Sequence, residues 1–217
     1  MALPATAQSP CAADAMLVFD ASSSMARIGG ATQGVSRMRE ARDALRRALP
    51  PVDAYRRLGL VTYGPGPEGS CDSVRLRFAP RAGGSEAVLD VIDGMRPLGR
   101  TPLTEAVGRA ATVLEGGGAV VLVTDGNDTC DGAPCALGDA LGAEGRVTVH
   151  VIGFRMNDGP DPRRPGEITV LAGRPARCLA DRTGGRFLTA DTAGELASAL
   201  ASTLGCPLLG RIVTGAG

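Results

Sequence analysis

The sequence of 217 residues contains no lysine, since all 23 of its basic residues are arginine. Without lysine the chain cannot use a P-loop lysine, a Schiff-base lysine or a Ser–Lys nucleophile pair. Tryptophan is also absent, and aromatic residues are only 3% of the chain, so neither a base-stacking platform nor a carbohydrate-stacking surface is indicated. The 23 acidic residues balance the arginines, which argues against a general attraction to nucleic acid or to an anionic membrane.

Groups that commonly catalyse reactions are scarce as well. The single histidine, His150, lies within the segment Val-Thr-Val-His-Val-Ile-Gly, where we predict a half-buried strand position rather than a base at a strand end. The sequence has no Gly-x-Ser-x-Gly elbow, and no cysteine has a plausible nearby base. We therefore expect a protein that is not an enzyme. Metal-assisted hydrolysis stays open as an alternative, because an open cation can activate water.

Long hydrophobic runs are missing, so the sequence indicates no signal-peptide core and no membrane span. Either a signal sequence has been removed or the protein is cytosolic. The six cysteines are even in number, and none has the C-x-x-C spacing of zinc ribbons or thioredoxin-like sites. Disulfides in an oxidising compartment, periplasmic or extracellular, are the favoured interpretation. Reduced core thiols in a cytosolic protein are the alternative.

Apolar runs alternate with amphipathic segments of helical spacing along the whole chain. We predict strands at 15–20, 57–63, 73–79, 118–124, 147–153 and 186–189, and helices at 35–49, 85–93, 102–115, 134–143, 168–183 and 192–204. This order predicts an α/β fold with a doubly wound, mostly parallel six-stranded sheet flanked by helices and one antiparallel edge strand. The strand at 118–124 is apolar on both faces and should be central.

The length predicts one domain over residues 1–217, with a core at about 13–204 and terminal extensions at 1–12 and 205–217. Within it, residues 156–166 are rich in proline and arginine, and we expect a long surface loop there.

Side chains with oxygen atoms follow the predicted strands at one edge of the sheet. Asp20, Ser22 and Ser24 follow the first strand as Asp-x-Ser-x-Ser. Asp125 follows the central strand, and Thr101 opens a helix in Gly-Arg-Thr-Pro-Leu. The carboxyl ends of parallel strands form the ligand crevice of such a sheet, and an all-oxygen set suits Mg²⁺, Mn²⁺ or Ca²⁺ better than zinc or copper. Two aspartates would roughly neutralise a divalent ion, which would stay electrophilic and favour a carboxylate brought by a partner.

These motifs, in this order and in these loops, resemble the metal-ion-dependent adhesion site of von Willebrand factor type A (VWA) domains over roughly residues 13–204. The resemblance implies a VWA, Rossmann-like fold with Asp20, Ser22, Ser24 and Thr101 at the metal, some through water, and with Asp125 acting through water. It implies one divalent cation, with Mg²⁺ the first candidate, and a protein ligand that supplies a carboxylate, as in cell adhesion. One departure is the residue between the two motif serines, Ser23, where family members often have glycine, which tolerates positive φ better.

Four cysteines occur in contexts that resemble those of bacterial secreted members of the family: Gly-Ser-Cys71-Asp, Asp-Thr-Cys130, Ala-Pro-Cys135 and Arg-Cys178-Leu. Cys11 precedes the first strand, and Cys206 ends a helix that should return to the opposite edge of the sheet, so we pair these two. Closing so long a loop would stabilise the fold by up to about 4 to 5 kcal/mol. The remaining four belong to the metal side, and we predict the pairs Cys71 with Cys130 and Cys135 with Cys178.

Two other interpretations of the site stay open. Asp followed by Ser is ordinary turn chemistry, so Ser24 and Thr101 could be plain helix caps and Asp125-Gly126 a plain turn. The chain would then be a disulfide-stabilised scaffold with a vestigial metal site. A calcium loop at 125–131 would lack the glycine and glutamate that an EF-hand loop needs. The favoured prediction is a monomeric, metal-dependent protein-binding module that binds no nucleic acid and does not insert into membranes.

Overall fold

The computed structural model of the protein describes residues 13–28, 34–67, 69–156 and 174–205. The strands of these ranges are β1 (Ala15–Asp20), β2 (Leu58–Tyr63), β3 (Arg75–Arg81), β4 (Gly118–Thr124), β5 (Val147–Phe154) and β6 (Phe187–Ala190). The helices are α1 (Arg37–Ala48), α2 (Gly84–Asp93), α3 (Leu103–Val113), α4 (Pro134–Glu144), α5 (Arg174–Thr183) and α6 (Ala193–Leu204), with short 3₁₀ helices at Ser23–Ala26 and Pro50–Ala54.

The strands form one sheet in the order β3-β2-β1-β4-β5-β6. Every neighbouring pair is parallel except β2 and β3, which are antiparallel and place β3 at the edge. The predicted fold class is therefore confirmed. Strand β4, which is apolar until Thr124, lies between β1 and β5, as its sequence predicts.

Two hydrophobic cores lie on the two faces of the sheet. All six residues of β1 are buried, and successive side chains alternate between the faces. Leu17 and Phe19 pack with α1, α2 and α6, whereas Met16 and Val18 pack with α3, α4 and α5. Because helices cover both faces, β1 is apolar at nearly every position until Asp20, where the strand ends.

The start of α1 differs from the prediction by two residues, and the starts of α2, α3 and α6 differ by one. The prediction began α1 at residue 35, but the helix starts at Arg37, and the side chain of Ser36 caps it by accepting the N–H of Arg39. The alternative interpretation in which Thr101 caps α3 is wrong, because Pro102 occupies the N-cap position. The backbone of Thr101 instead forms two hydrogen bonds with Thr129 of a neighbouring loop. The N–H of Thr101 donates to Oγ1 of Thr129, and the carbonyl of Thr101 accepts the N–H of Thr129.

Both predicted disulfides on the metal side are present, Cys71–Cys130 and Cys135–Cys178. The predicted pair Cys11 with Cys206 lies outside the described residues, as do residues 157–166 of the predicted surface loop and residues 168–173 of the predicted helix. Among the helices that the structure describes, none combines the length and the apolar character needed to cross a bilayer.

Candidate metal site

The predicted site lies where the direction of strand order reverses. The chain passes from β1 outward to β2 and β3 and then returns to β4 on the other side of β1. Phe19 of β1 is in register with Val123 of β4, so Asp20 and Asp125 emerge side by side at the carboxyl edge. Such a reversal point leaves a crevice between neighbouring loops, which is where ligands bind in open α/β sheets.

A continuous chain of hydrogen bonds joins four of the five predicted ligands. The N–H of Ser22 donates to Oδ1 of Asp20 at 2.8 Å, and Oγ1 of Thr124 donates to Oδ2 at 2.7 Å. The hydroxyls of Ser22 and Ser24 lie 3.0 Å apart. Ser24 then donates to Oδ1 of Asp125 at 2.6 Å. Ser24 therefore connects the Asp-x-Ser-x-Ser loop to the loop after β4 and does not act as a simple helix cap.

Thr101 lies in the adjoining loop and is 6% exposed. This loop is attached to the first one through the backbone, because the N–H of Ser23 donates to the carbonyl of Gly99 at 3.1 Å. The contacts with Thr129 attach the same loop to the chain that follows Asp125. The loop that carries Thr101 thus adjoins the loops that carry the other four residues, through backbone contacts on both sides.

Ser23 fits its loop without backbone strain. Among the non-glycine residues that the structure describes, positive φ occurs at Asp131 and Arg155 but not at Ser23. The family departure at this position therefore leaves the loop geometry intact.

Glycine lets the loops of this edge approach closely. Gly64, after β2, has φ +105°, and a Cβ there would lie 2.2 Å from the backbone of Ala21. Gly99 has φ +80°, and its Cβ would lie 2.3 Å from the carbonyl oxygen of Gly64. Any side chain at either position would both clash and require an unfavourable φ. Three loops thus pack backbone against backbone around the site.

The buried carboxylate of Asp20 is unfavourable to ionise in the absence of a cation. Burial raises the pKa of Asp20 to about 6, and the charge of Asp125 adds to the rise. A carboxylate that is costly to ionise in the protein alone is stabilised by a cation placed against it. The residues present therefore fit a divalent metal, which would be held by two carboxylates and three hydroxyls.

Arg37 also lies at this edge, and it is not among the site residues predicted from the sequence. Its Nη1 lies 2.8 Å from Oδ2 of Asp125, and the two side chains are 5% and 0% exposed. The expectation that two aspartates alone set the charge of the site is thus incomplete. One signal was available in the sequence: Arg37 falls on the same helical face as Met38, Ala41 and Leu45, a face that is otherwise apolar.

His150 lies away from the site, as predicted. It is in the middle of β5, in register with Val121, and Phe154 ends that strand at the carboxyl edge. Its Nδ1 accepts the N–H of Arg186 at 3.1 Å. Burial lowers the pKa of His150, and the charges of Arg186 and Arg56 lower it further.

The described residues contain no group of three or more His, Cys, Asp or Glu side chains arranged to hold a metal. The donors at this edge are carboxylates and hydroxyls instead, which is the chemistry that hard divalent cations prefer. Together with the doubly wound sheet, this defines an α/β domain with an oxygen-donor site at its switch point.

Comparison with known proteins gives the family. The family model described as "von Willebrand factor type A domain" matches residues 15–127, more than half of the chain, and the protein belongs to this family. Members of the family commonly bind a divalent metal at the metal-ion-dependent adhesion site (MIDAS).

Individual relatives are distant. Over 172 residues the chain is 25% identical to the uncharacterized protein YwmC of Bacillus subtilis (strain 168), an alignment that covers 74% of this chain and 72% of that protein. An aerotolerance-related membrane protein from Bacteroides fragilis, solved with multiple mutations to serines, superimposes with a TM-score of 0.63 at 19% identity, covering 88% of this chain and 98% of that one. Proximal thread matrix protein 1 from the mussel byssus, solved with a zinc-occupied MIDAS motif, gives 0.55 at 19%, covering 90% of this chain and 46% of that one. At these identities the likeness to solved structures shows the fold alone.

Proposed function

We propose that the protein is a divalent-cation-dependent binding module in which a metal held at Asp20, Ser22, Ser24, Thr101 and Asp125 coordinates an acidic residue of a partner protein. The observation that carries this proposal is the hydrogen bond from Ser24 to Asp125 at 2.6 Å, because it joins the donors of two loops into one oxygen-lined site. The bound metal would supply a Lewis-acidic position with room for an outside ligand.

A carboxylate is the partner group that this site favours. Three of the five side chains are hydroxyls, which bring no charge to a divalent cation. A cation bound mostly by neutral oxygens keeps its attraction for anions, and a carboxylate is the common anionic side chain of proteins. Magnesium is the first candidate metal, with manganese and calcium as alternatives.

A binding role is favoured over a catalytic one. Activation of water at a metal usually needs a base within hydrogen-bonding reach. His150 is in the middle of β5, several residues before the edge that carries the site. The two carboxylates of the site are engaged with Thr124, Ser24 and the backbone.

An oxidising location, periplasmic or extracellular, is supported by the two disulfides, since such bridges persist where thiols are not kept reduced.

Calorimetric titration of the oxidised protein with Mg²⁺, Mn²⁺, Ca²⁺ and Zn²⁺ tests the proposal. We expect one-site binding in wild type and none in Asp20→Ala. Asp90→Ala, at an exposed position of α2, is the matched control and should bind as wild type does. Failure of all four cations to bind would reject the metal-bridge mechanism and leave a disulfide-stabilised scaffold as the better account.

A further inference from the structure

Arg37 has an unusual position for a cation. It is the first residue of α1 and is 4% exposed. A positive charge in the first turn of a helix is disfavoured by the helix dipole, and a buried charge is costly unless it is paired. A charge that is unfavourable at its own position in a helix indicates that it interacts with a group outside that helix.

That charge is directed at Asp125. Nη1 of Arg37 donates to Oδ2 of Asp125 at 2.8 Å, and Ser24 donates to Oδ1 at 2.6 Å. Both carboxylate oxygens therefore accept hydrogen bonds from protein donors, and the side chain is fully buried. The negative charge of Asp125 is compensated before any cation arrives.

We propose that Arg37 sets the charge of the metal site, so that a bound divalent cation keeps a net positive charge for the partner's carboxylate. This inference rests on the proposed metal-dependent function. Asp20, Asp125 and Arg37 together carry one formal negative charge, and a divalent cation changes this to one positive charge. Without Arg37 the same cation would be neutralised. Arg37 thus weakens the binding of the metal and strengthens the binding of the anion.

A purely structural role for Arg37 predicts the opposite effect on metal binding. If Arg37 only fixed the position of Asp125, removing it would loosen the site and weaken the binding of the cation. If its charge is what matters, removing it should tighten that binding. The direction of the change in metal affinity therefore separates the two roles.

The first measurement is Mn²⁺ affinity, by calorimetry, for wild type, Arg37→Met, Asp125→Asn and the double variant. We expect Arg37→Met to bind most tightly, wild type and the double variant to be similar, and Asp125→Asn to bind most weakly. Each step should be at least about 10-fold, because one unit charge at a distance of about 12 Å changes the affinity by that factor at an effective dielectric constant of about 20. Arg39→Met, an exposed position of the same helix, makes the same change in net charge and should leave affinity as in wild type.

The second measurement is the binding of acetate, as the carboxylate probe, to the Mn²⁺-loaded proteins, followed by water-proton relaxation. Acetate should displace metal-bound water at a concentration about 10-fold lower in wild type than in Arg37→Met, since the charge difference acts in the opposite direction on an anion. Equal acetate binding by the two proteins would overturn the inference.

The remaining outcomes are also decisive. Weaker Mn²⁺ binding in Arg37→Met than in wild type overturns the proposed role of the charge. If Arg37→Met does not fold, the double variant is compared with Asp125→Asn: tighter Mn²⁺ binding in the double variant supports the inference, and equal or weaker binding overturns it. Absence of Mn²⁺ binding in wild type overturns this inference, and absence of binding by all four cations overturns the proposed function as well, whereas Mn²⁺ binding in the wrong order overturns this inference alone.

Discussion

The two disulfides of the described residues close loops of similar length but hold different parts of the molecule together. Cys71–Cys130 spans 59 residues and joins the β2–β3 loop to the chain that follows Asp125. Cys135–Cys178 spans 43 residues and joins α4 to α5. Loop entropy depends weakly on length, so both bridges should stabilise the fold by similar amounts. The two bridges differ in position. Cys71–Cys130 lies at the edge of the sheet that carries the candidate metal site, called the metal edge below, and Cys135–Cys178 joins two helices.

The surroundings of the bridges differ in kind. Next to Cys130, the carboxylate of Asp128 accepts the backbone N–H groups of Thr104 and Cys130, both at 2.8 Å. Near the other bridge, glycine allows α4 and α5 to touch, since a Cβ at Gly142 would lie 2.2 Å from the carbonyl oxygen of Arg182. The metal-edge bridge belongs to a polar network, and the helix bridge belongs to a close-packed interface.

Removing each bridge in turn should give the largest effects and test this difference directly. We expect Cys71→Ala/Cys130→Ala and Cys135→Ala/Cys178→Ala each to lower the free energy of unfolding by about 2 to 4 kcal/mol. Only the first pair should also weaken metal binding, on the order of 10-fold, because it frees the loop that carries Asp125 from its neighbour. Denaturant unfolding and calorimetry measure the two quantities, and equal loss of metal affinity in both variants would contradict the comparison.

The metal edge should also dominate the pH dependence of stability. The pKa of Asp20 is raised to about 6 in the folded protein, above its value in the unfolded chain. Protonated Asp20 therefore stabilises the fold fully at pH values below the pKa that Asp20 has in the unfolded chain. This contribution to the free energy of unfolding is lost as the pH rises through about 6. We therefore expect metal-free Asp20→Asn to be more stable than wild type at pH 7, by on the order of 2 kcal/mol, and to lack this loss.

Unfolding in a chelator at pH 5 and pH 7 measures this effect, and Asp90→Asn is the exposed control. The same steep pH dependence in wild type and Asp20→Asn would show that another group is responsible. With metal present, protons compete for Asp20, so metal affinity should fall as pH drops below about 6.

The helix pair can be disturbed without touching the metal edge. Gly142→Ala should lower the free energy of unfolding by about 1 to 3 kcal/mol, because the added methyl group overpacks the contact between α4 and Arg182. Metal affinity should not change. Gly116→Ala, where an added Cβ meets nothing within 4 Å, is the matched control. A change in metal affinity for Gly142→Ala would show that the two regions are coupled.

The smallest expected effect comes from the hydrogen bond beside the metal-edge bridge. Thr129→Val keeps the shape of the side chain but removes the acceptor for the N–H of Thr101, at 2.9 Å in the native protein. We expect a loss of about 1 kcal/mol in stability and a decrease of a few-fold in metal affinity. Thr112→Val, on the exposed side of α3, is the control and should leave metal affinity unchanged.

The fold could be predicted because its main signals are local. Seven consecutive residues without a charge identified β4 as a central strand, and helical periodicity located α1 within two residues of its start. The positions of the two loops of the candidate metal site could be predicted because Asp20 and Asp125 directly follow strands that are recognisable from the same patterns. Position after a strand determines position in space in such a sheet.

The contacts that Arg37 and Thr101 make at the candidate site could not be predicted in the same way. Arg37 and Asp125 are 88 residues apart, and their pairing depends on how α1 packs against the sheet. The alternative interpretation of Thr101 as a helix cap was wrong for a related reason, since the side chain of a distant residue, Thr129, accepts its backbone N–H. Interactions between loops arise from tertiary packing, which local propensity does not encode.

The glycine contacts at the metal edge separate what can vary in this protein from what cannot. Gly64 and Gly99 leave no space for a side chain, so the backbone of the candidate metal site is fixed by the fold. Around it, Ser23, Ala26 and Arg100 are exposed side chains of the same loops. In the proposed function, replacing these surface residues would alter partner choice while the loops of the candidate site keep their positions. In the proposed function, the loops of the candidate site would stay constant while the exposed residues around them set which partner binds. Mutation or design of those exposed residues could then change the partner.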